Sequence, residues 1–366
     1  MDDLSMDDPS MDDELTQQRL DLRHRLLTFA RHPDAGAFDA LALEVAAYQA
    51  KALPAYGRLV AAAGPEALSH WRKVPTVPTE LFVDLDLCSL PSSPKDRVFK
   101  TSGTTQGEAM RGRRRVPDMA IYDAAMAASF IREVLAGDRT PRPWVSLVPH
   151  PDVLPTSSLS HMVGGLASAL ASRAVFVVDR EGLDVDRARD ALGEGEGPFV
   201  LLATALALVE LLELLDRPPR TPKLPPGSRI MLTGGFKGRT DTISEDELLR
   251  RVRRQLGIPP ELVIPEYGMT ELTSQAYGRP LAPMPSLRFR ALDPATGAEL
   301  PPGTEGLVAC FDLLNLDNVS AILTSDLGVV DAEGRLELRG RLAGAAPRGC
   351  SLTAEELRRS MSGGAQ

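Results

Sequence analysis

The chain has 366 residues, 43% of them apolar, a formal net charge of −9 and three cysteines. Residues 2–14 carry seven acidic side chains and no basic one, so the remainder is close to neutral and a basic nucleic-acid-binding surface is not expected. No apolar run reaches the roughly 18 residues of a membrane span, and Cys88, Cys310 and Cys350 stand too far apart for a zinc or disulfide framework. With an acidic N-terminus that lacks a leader pattern, these features point to the reducing cytoplasm.

Residues 1–14 are an imperfect acidic repeat with little to bury and are expected to be disordered, as a passive or a docking tail. From Leu15 the pattern is helical. Leu20, Leu22, Leu26, Leu27 and Phe29 suit one amphipathic helix ending near Pro33; Phe38, Leu41, Val45 and Tyr48 mark a second over 38–50, and Pro54 opens a third. Pro75, Pro78, Pro91 and Pro94 make 74–96 a loop-rich approach, in which Cys88 reads as buried filler.

A short run, Arg97-Val98-Phe99, leads into Lys100-Thr101-Ser102-Gly103-Thr104-Thr105-Gln106-Gly107-Glu108. Glycine lets the backbone turn tightly and approach a ligand, and successive N–H groups flanked by hydroxyls can form an anion nest. Thr101, Ser102, Gly103, Thr104, Thr105 and Gly107 are therefore candidates to hold a nucleotide phosphate; a polar surface loop is the alternative. The Gly-Lys-Ser/Thr ending of a Walker loop is missing. Arg111, Arg113, Arg114 and Arg115 follow, either as a solvated basic face or as guanidinium forks for phosphate.

Beyond this point apolar strands alternate with helices. Helices are predicted over 117–136, 160–172 and from 204 through Leu215; strands over 144–148, 174–178, 199–203, 229–232 and 262–264. This alternation predicts an α/β fold with a mostly parallel sheet, in which ligands gather at the carboxyl ends of strands. Gly234 and Gly235, and the segment Glu266-Tyr267-Gly268-Met269-Thr270-Glu271, fall at two such ends. His161 opens the glycine-rich helix, where a capped, hydrogen-bonded structural histidine is one reading.

From about Leu281 short strands separated by turns predict a β-rich subdomain, with Cys310 as core filler inside a strand. Near the end runs Arg348-Gly349-Cys350-Ser351-Leu352. A helix N-terminus and Arg348 would favour the nucleophilic thiolate of Cys350; a buried small residue is the alternative. The expected organisation is an acidic tail (1–14), an α/β core with N-terminal helices (15–280), a β-rich subdomain (281–340) and a short C-terminal segment (341–366).

Three stretches, in order, resemble the motifs of the adenylate-forming enzymes: acyl-CoA ligases, adenylation domains and luciferases. They are Thr101-Ser102-Gly103-Thr104-Thr105, then Tyr267-Gly268-Met269-Thr270-Glu271, then Thr324-Ser325-Asp326-Leu327-Gly328 followed by Gly340-Arg341. The resemblance covers roughly residues 75–350. The pattern most resembles the acyl-protein synthetases, the fatty-acid-activating subunits of bacterial luminescence reductase complexes. The short C-terminus and the Gly349-Cys350-Ser351-Leu352 setting carry that part of the resemblance.

The resemblance implies a large N-terminal adenylate-forming domain and a truncated form of the superfamily's mobile C-terminal domain, since 25 residues follow Arg341 and none is a lysine. It implies ATP and Mg2+: Thr101 to Thr105 and Gly107 around the outer phosphates, Tyr267 on adenine, Thr270 at the α-phosphate, Glu271 on the metal and Asp326 on the ribose hydroxyls. Gly234, Gly235 and Gly268 would let backbone approach the nucleotide, Arg341 would reach ribose or phosphate, and His161 would lie beside the acid. The implied reaction activates a carboxylic acid, by expectation a fatty acid, to acyl-AMP and moves the acyl group to Cys350 as a thioester. An acyl reductase or an acyl carrier protein would be the partner. The chain departs from the family where a lysine is usual, with Gln106-Gly107-Glu108-Ala109-Met110 in its place. Direct transfer to CoA, a carrier protein or an amine is a second reading, and a non-catalytic partner subunit of the same fold a third.

Overall fold

The computed structural model describes residues 9–101, 111–194, 197–218, 223–234 and 243–342. Helices α1 (Pro9–Arg31), α2 (Phe38–Ala52) and α3 (Pro54–Ala62) come first. α1 begins at Pro9, inside the stretch expected to be an acidic tail, and buries Leu22, Leu26 and Phe29 at helical spacing. Pro54 occupies the first turn of α3, where a missing N–H leaves no bond unmade. Strand β1 (Val77–Pro78) and the one-turn helix α4 (Leu81–Asp84) lie within the segment expected to be loop. Strands β2 (Arg97–Lys100) and β3 (Arg113–Val116) pair antiparallel on either side of the candidate phosphate loop.

Helices and strands then alternate: α5 (Met119–Glu133), β4 (Arg142–Ser146), α6 (Ser158–Leu170), β5 (Ala171–Phe176), α7 (Val185–Gly193), β6 (Val200–Thr204), α8 (Ala205–Leu215), β7 (Arg229–Thr233), α9 (Glu245–Leu256) and β8 (Val263–Tyr267). Each of these helices opens on a side-chain cap, from Asp118, Ser157, Asp184, Thr204 and Ser244 in turn, which satisfies a first-turn N–H that the helix itself cannot. Strands β4 to β8 are parallel in the order β8-β7-β6-β4-β5. Short β9 (Ala276–Tyr277) and β10 (Ala282–Pro283) extend the β8 edge antiparallel, making a sheet of seven among the described residues.

Alternate residues of this sheet feed two cores. Leu201, Ala203, Ile230 and Leu232 pack with α7, α8 and α9; Val200, Leu202 and Met231 pack with α5 and α6. Coverage on both faces is why these strands read as unbroken apolar runs in the sequence.

The remaining strands, β11 (Leu287–Leu292), β12 (Glu305–Asp312), β13 (Ala321–Val330) and β14 (Leu336–Arg341), form a second sheet. β1 joins it in parallel against Ile322 and Leu323 of β13. Phe289, Val308, Cys310 and Ile322 close one face of it onto α1, α2 and α3. Gln49, fully buried on α2, fixes that packing: its amide donates to the Asn315 (2.7 Å) and Asn318 (2.6 Å) carbonyls and accepts from the Ser320 N–H (3.0 Å). Burial pushes the Cys88 thiol up to about 11 and the Cys310 thiol well above its ordinary value, so both are core residues rather than reagents. The architecture is the expected α/β domain with a mainly parallel sheet and a small β-rich unit. Among the described residues no helix is long and apolar enough to cross a membrane.

Candidate functional site

The site begins at the stem of the loop between β2 and β3. Thr101 donates its N–H to the Gly112 carbonyl and accepts the Gly112 N–H on Oγ1, both at 2.9 Å. Gly112 is tightly enclosed. A Cβ there would sit 3.1 Å from Thr101 Cγ2 and 3.5 Å from Glu271 Oε1, which brings the first loop threonine and the Glu271 carboxyl to one spot. Ser102, Gly103, Thr104, Thr105 and Gly107 lie outside the described residues, as do Gly235 and Cys350.

The second group joins the two sheets. Tyr267, the last residue of β8, is 9% exposed and meets Phe289 edge-on at 6.0 Å. Its hydroxyl donates to Asp326 Oδ2 at 2.8 Å. The β13–β14 register sets Arg341 opposite Asp326, and Arg341 Nε donates to Asp326 Oδ1 at 3.1 Å. The Arg341 side chain is otherwise exposed. One carboxylate thus links a tyrosine of the main sheet to an arginine of the small one.

Between these groups sits Glu271. It is 4% exposed, and burial pushes its carboxyl up to about 7. Arg114 and Arg341 act against that rise and Glu80 adds to it. Among the described residues no side chain donates a hydrogen bond to the Glu271 carboxyl. The segment carrying it is braced by Arg114, which donates to the carbonyls of Leu272 (2.7 Å) and Thr270 (3.3 Å), to Thr273 Oγ1 (2.5 Å) and to Asn315 Oδ1 (2.9 Å). Thr270 is half-buried beside it.

Arg114 is neither solvated nor available to a phosphate, and Arg115 is spent as well. It pairs with Asp86 (2.9 Å) and Asp96 (2.7 Å) and donates to the Leu90 and Pro91 carbonyls. Both readings offered for the arginine run fail at these two positions. The reason is strand pairing: β3 lies against β2 and is covered, so its guanidiniums are drawn inward to main-chain carbonyls and acids.

The carboxyl ends of β7 and β8 hold a feature that the motifs did not single out. Glu266 is 7% exposed, accepts the Thr233 hydroxyl at 2.5 Å, and is pushed up to about 7 by burial. Gly268 leaves room for it, because a Cβ there would stand 2.5 Å from Glu266 Oε1 and the carboxyl would have to shift. Gly234 has a left-handed φ of +81°, which glycine adopts without strain, and among the described residues a Cβ there would meet nothing within 4 Å.

His161 stands apart from the Tyr267–Asp326 group. Its Nε2 is 2.9 Å from Asp123 Oδ1, and its ring packs against Phe99 (5.6 Å) and Tyr122 (5.7 Å). Thr101, Glu271, Tyr267, Asp326 and Arg341 are therefore gathered around one junction, while His161 is on the α5–α6 side of the fold. The sequence did contain a signal for Glu266: an acid at the end of an apolar parallel strand has no solvent to face. Arg114 had none, since it stands between Arg113 and Arg115 in the sequence.

No protein-family model and no curated protein matches this chain. Solved structures do. A long-chain-fatty-acid–CoA ligase from Archaeoglobus fulgidus aligns over 67% of this chain and 51% of its own, at 17% identity and a TM-score of 0.50. ATP-bound MatB from Rhodopseudomonas palustris aligns over 69% and 49% at 18% identity and a TM-score of 0.48. O-succinylbenzoate coenzyme A synthetase from Bacillus subtilis, in complex with ATP and magnesium, aligns over 67% and 49% at 20% identity and a TM-score of 0.47. The chain spans about half the length of these structures. The matched part of the chain has the fold of the N-terminal adenylation domain of adenylate-forming enzymes.

Proposed function

We propose that this chain activates a carboxylic acid with ATP, forming an acyl-adenylate, and transfers the acyl group to a thiol. The observation that carries the reading is the junction itself: Tyr267, Asp326 and Arg341 share one carboxylate, and Glu271 lies against Thr101 and Gly112 at the foot of a hydroxyl- and glycine-rich loop. The acid's carboxylate oxygen attacks the α-phosphorus of ATP, the bond to the β-phosphate oxygen breaks, and pyrophosphate leaves with that electron pair. The Asp326 carboxylate would accept from ribose hydroxyls in exchange for Arg341, which is exposed and free to turn toward ribose or phosphate. Tyr267 would carry adenine, and the amide and hydroxyl of Thr270 lie one residue from Glu271 for the α-phosphate. The loop residues Thr101 to Thr105 and Gly107 would donate to the outer phosphates.

The residues present fit a magnesium ion. Glu271 is a buried carboxyl with no paired cation in hydrogen-bond contact among the described residues, and Mg2+ is commonly held by one or two carboxylates plus substrate phosphates and water. Among the described residues no group of three acidic, histidine or cysteine side chains could hold a metal ion. When bound, the ion would neutralise charge on the phosphates.

In the second step the Cys350 thiolate attacks the acyl carbon, the bond to the phosphate oxygen breaks, and AMP leaves; covalent catalysis divides one hard transfer into two easier ones. The thioester would pass to a partner such as an acyl reductase or an acyl carrier protein. Incubation with ATP, Mg2+ and a labelled acid substrate is expected to leave a hydroxylamine-sensitive label on the protein, abolished in Cys350→Ser with acyl-AMP formation retained. A label that survives in Cys350→Ser rejects this cysteine as acceptor. Acyl transfer to CoA without any protein label assigns the thiol to the second substrate instead.

A further inference from the structure

The two edges of the main sheet are finished differently. Beyond β8 the sheet is closed off by β9 and β10, whereas β5 pairs with β4 and, among the described residues, with no strand on its other side. The helical layers also stop short of it. Arg173 and Ala174 are both exposed although their side chains point to opposite faces, while β4, β6 and β7 are buried almost throughout. A parallel strand is normally covered on both faces, and an open edge is normally blunted by proline, by charge or by a covering segment. Residues 171–176 contain no proline, and their one charge, Arg173, is matched by Glu194 at the C-cap of α7 (2.9 Å).

The register with β4 defines which groups this edge offers. Arg173 to Phe176 run regularly opposite Pro143 to Ser146, and Val177 donates its N–H to the Ser146 carbonyl at 3.0 Å. Successive residues of a strand turn their amide groups to alternate sides, so Arg173, Val175 and Val177 face β4, and Ala174 and Phe176 present N–H and C=O outward. A strand that meets this edge antiparallel can exchange a pair of hydrogen bonds with each of those two residues. β5 is itself such a strand. With Val175 opposite the partner's Val175, Ala174 of each copy pairs with Phe176 of the other. Val175 and Phe176 are half-buried, packed on the α7–α9 and α5–α6 cores respectively, so each central pair is apolar. Arg173 then stands opposite the partner's Val177 and diagonally from the partner's Asp179, an exposed acid within reach of a long side chain. This register opposes no like charges, and it uses the regularly paired residues rather than the irregularity at the start of β5.

We propose that β5 is the interface of a two-fold dimer, in which it pairs antiparallel with the β5 of a second copy and one sheet runs through both chains. Such a contact uses the same patch on each copy and closes on itself. It lies at the edge opposite β8, so Tyr267, Asp326 and Arg341 of each copy are outside it.

The test uses the full chain in sedimentation equilibrium at rising concentration, where the wild type is expected to approach twice the chain mass. Ala174→Pro removes an outward N–H on an edge strand, where proline is tolerated, and so takes two hydrogen bonds from the symmetric contact. The dissociation constant is expected to rise roughly 5- to 150-fold, with the circular dichroism of the wild type retained. Arg173→Asp sets an acid against the partner's Asp179 and should weaken the dimer several-fold, more at low salt than at high. Cross-linking reads the register without depending on either variant. Cys88 and Cys310 are buried, so a Cys350→Ser background serves. In it, Val175→Cys is expected to form a disulfide-linked dimer under mild oxidant, since directly opposed residues of this kind have Cα atoms about 4.5 Å apart. Arg173→Cys, roughly 14 Å from its copy in this register, is expected not to link. A wild type that stays monomeric overturns the proposal and leaves the edge to a strand of another protein. A dimer that Ala174→Pro does not weaken, or in which Arg173→Cys links as readily as Val175→Cys, overturns it by placing the contact elsewhere.

Discussion

At the scale of single residues, the buried acids set the behaviour of the molecule with pH. The Glu271 carboxyl is raised from 4.5 to about 7, so the folded chain holds this proton more tightly than the unfolded one between those values. Folding stability from this group is therefore complete below about pH 4.5 and is lost as pH rises through about 7. The full loss is of the order of 3 kcal/mol for a shift of this size. Glu271→Gln keeps the shape and cannot ionise. It is expected to be more stable than the parent by an amount approaching that figure at about pH 8, and equal to it at about pH 4. Urea unfolding at the two pH values measures this; a variant destabilised at both would mean that the carboxyl is engaged by an unrecognised donor. The same substitution should remove Mg2+-dependent turnover, which separates what the residue does for the fold from what it does for the site.

At the scale of elements, β3 shows why part of the site was legible and part was not. The main sheet could be read from apolar runs such as Phe199 to Ala203 and Arg229 to Leu232, because strands covered on both faces leave no other pattern. The ends of those strands then pointed to Gly234 and Tyr267. The arginine run was opaque for a different reason: sequence gives charge, but whether a guanidinium turns to solvent or to carbonyls depends on partners far along the chain. Arg114 finds Leu272 and Asn315, and Arg115 finds Asp86 and Asp96. The pairing of β1 with β13, more than two hundred residues apart, was hidden likewise, and the polar composition of α9 masked a stripe of Leu248, Val252 and Leu256. Arg114 is the brace between β3 and the Thr270–Glu271 segment. Arg114→Met is expected to destabilise the fold by about 3–5 kcal/mol, since it strands the Thr270 and Leu272 carbonyls and removes the buried charge that offsets Asp312. A loss under about 1 kcal/mol in urea unfolding would show that the brace is dispensable.

At the scale of the whole molecule, the candidate site exists only because two sheets meet. Tyr267 comes from the parallel sheet, Asp326 and Arg341 from the second sheet, Thr101 and Gly112 from the β2–β3 pair, and Glu271 from the connection that follows β8. Gln49 holds the N-terminal helices to the turn between β12 and β13, so the small sheet cannot shift without breaking buried hydrogen bonds. A nucleotide bound at the junction would touch both sheets and is expected to raise the stability of the molecule as a unit. The most direct test of the central claim is ATP–pyrophosphate exchange on the intact chain with Mg2+ and a panel of alkyl, aryl and amino-substituted acids. The account predicts exchange that requires both Mg2+ and a particular acid. Folded protein that neither binds ATP in calorimetry nor exchanges pyrophosphate with any acid would contradict it.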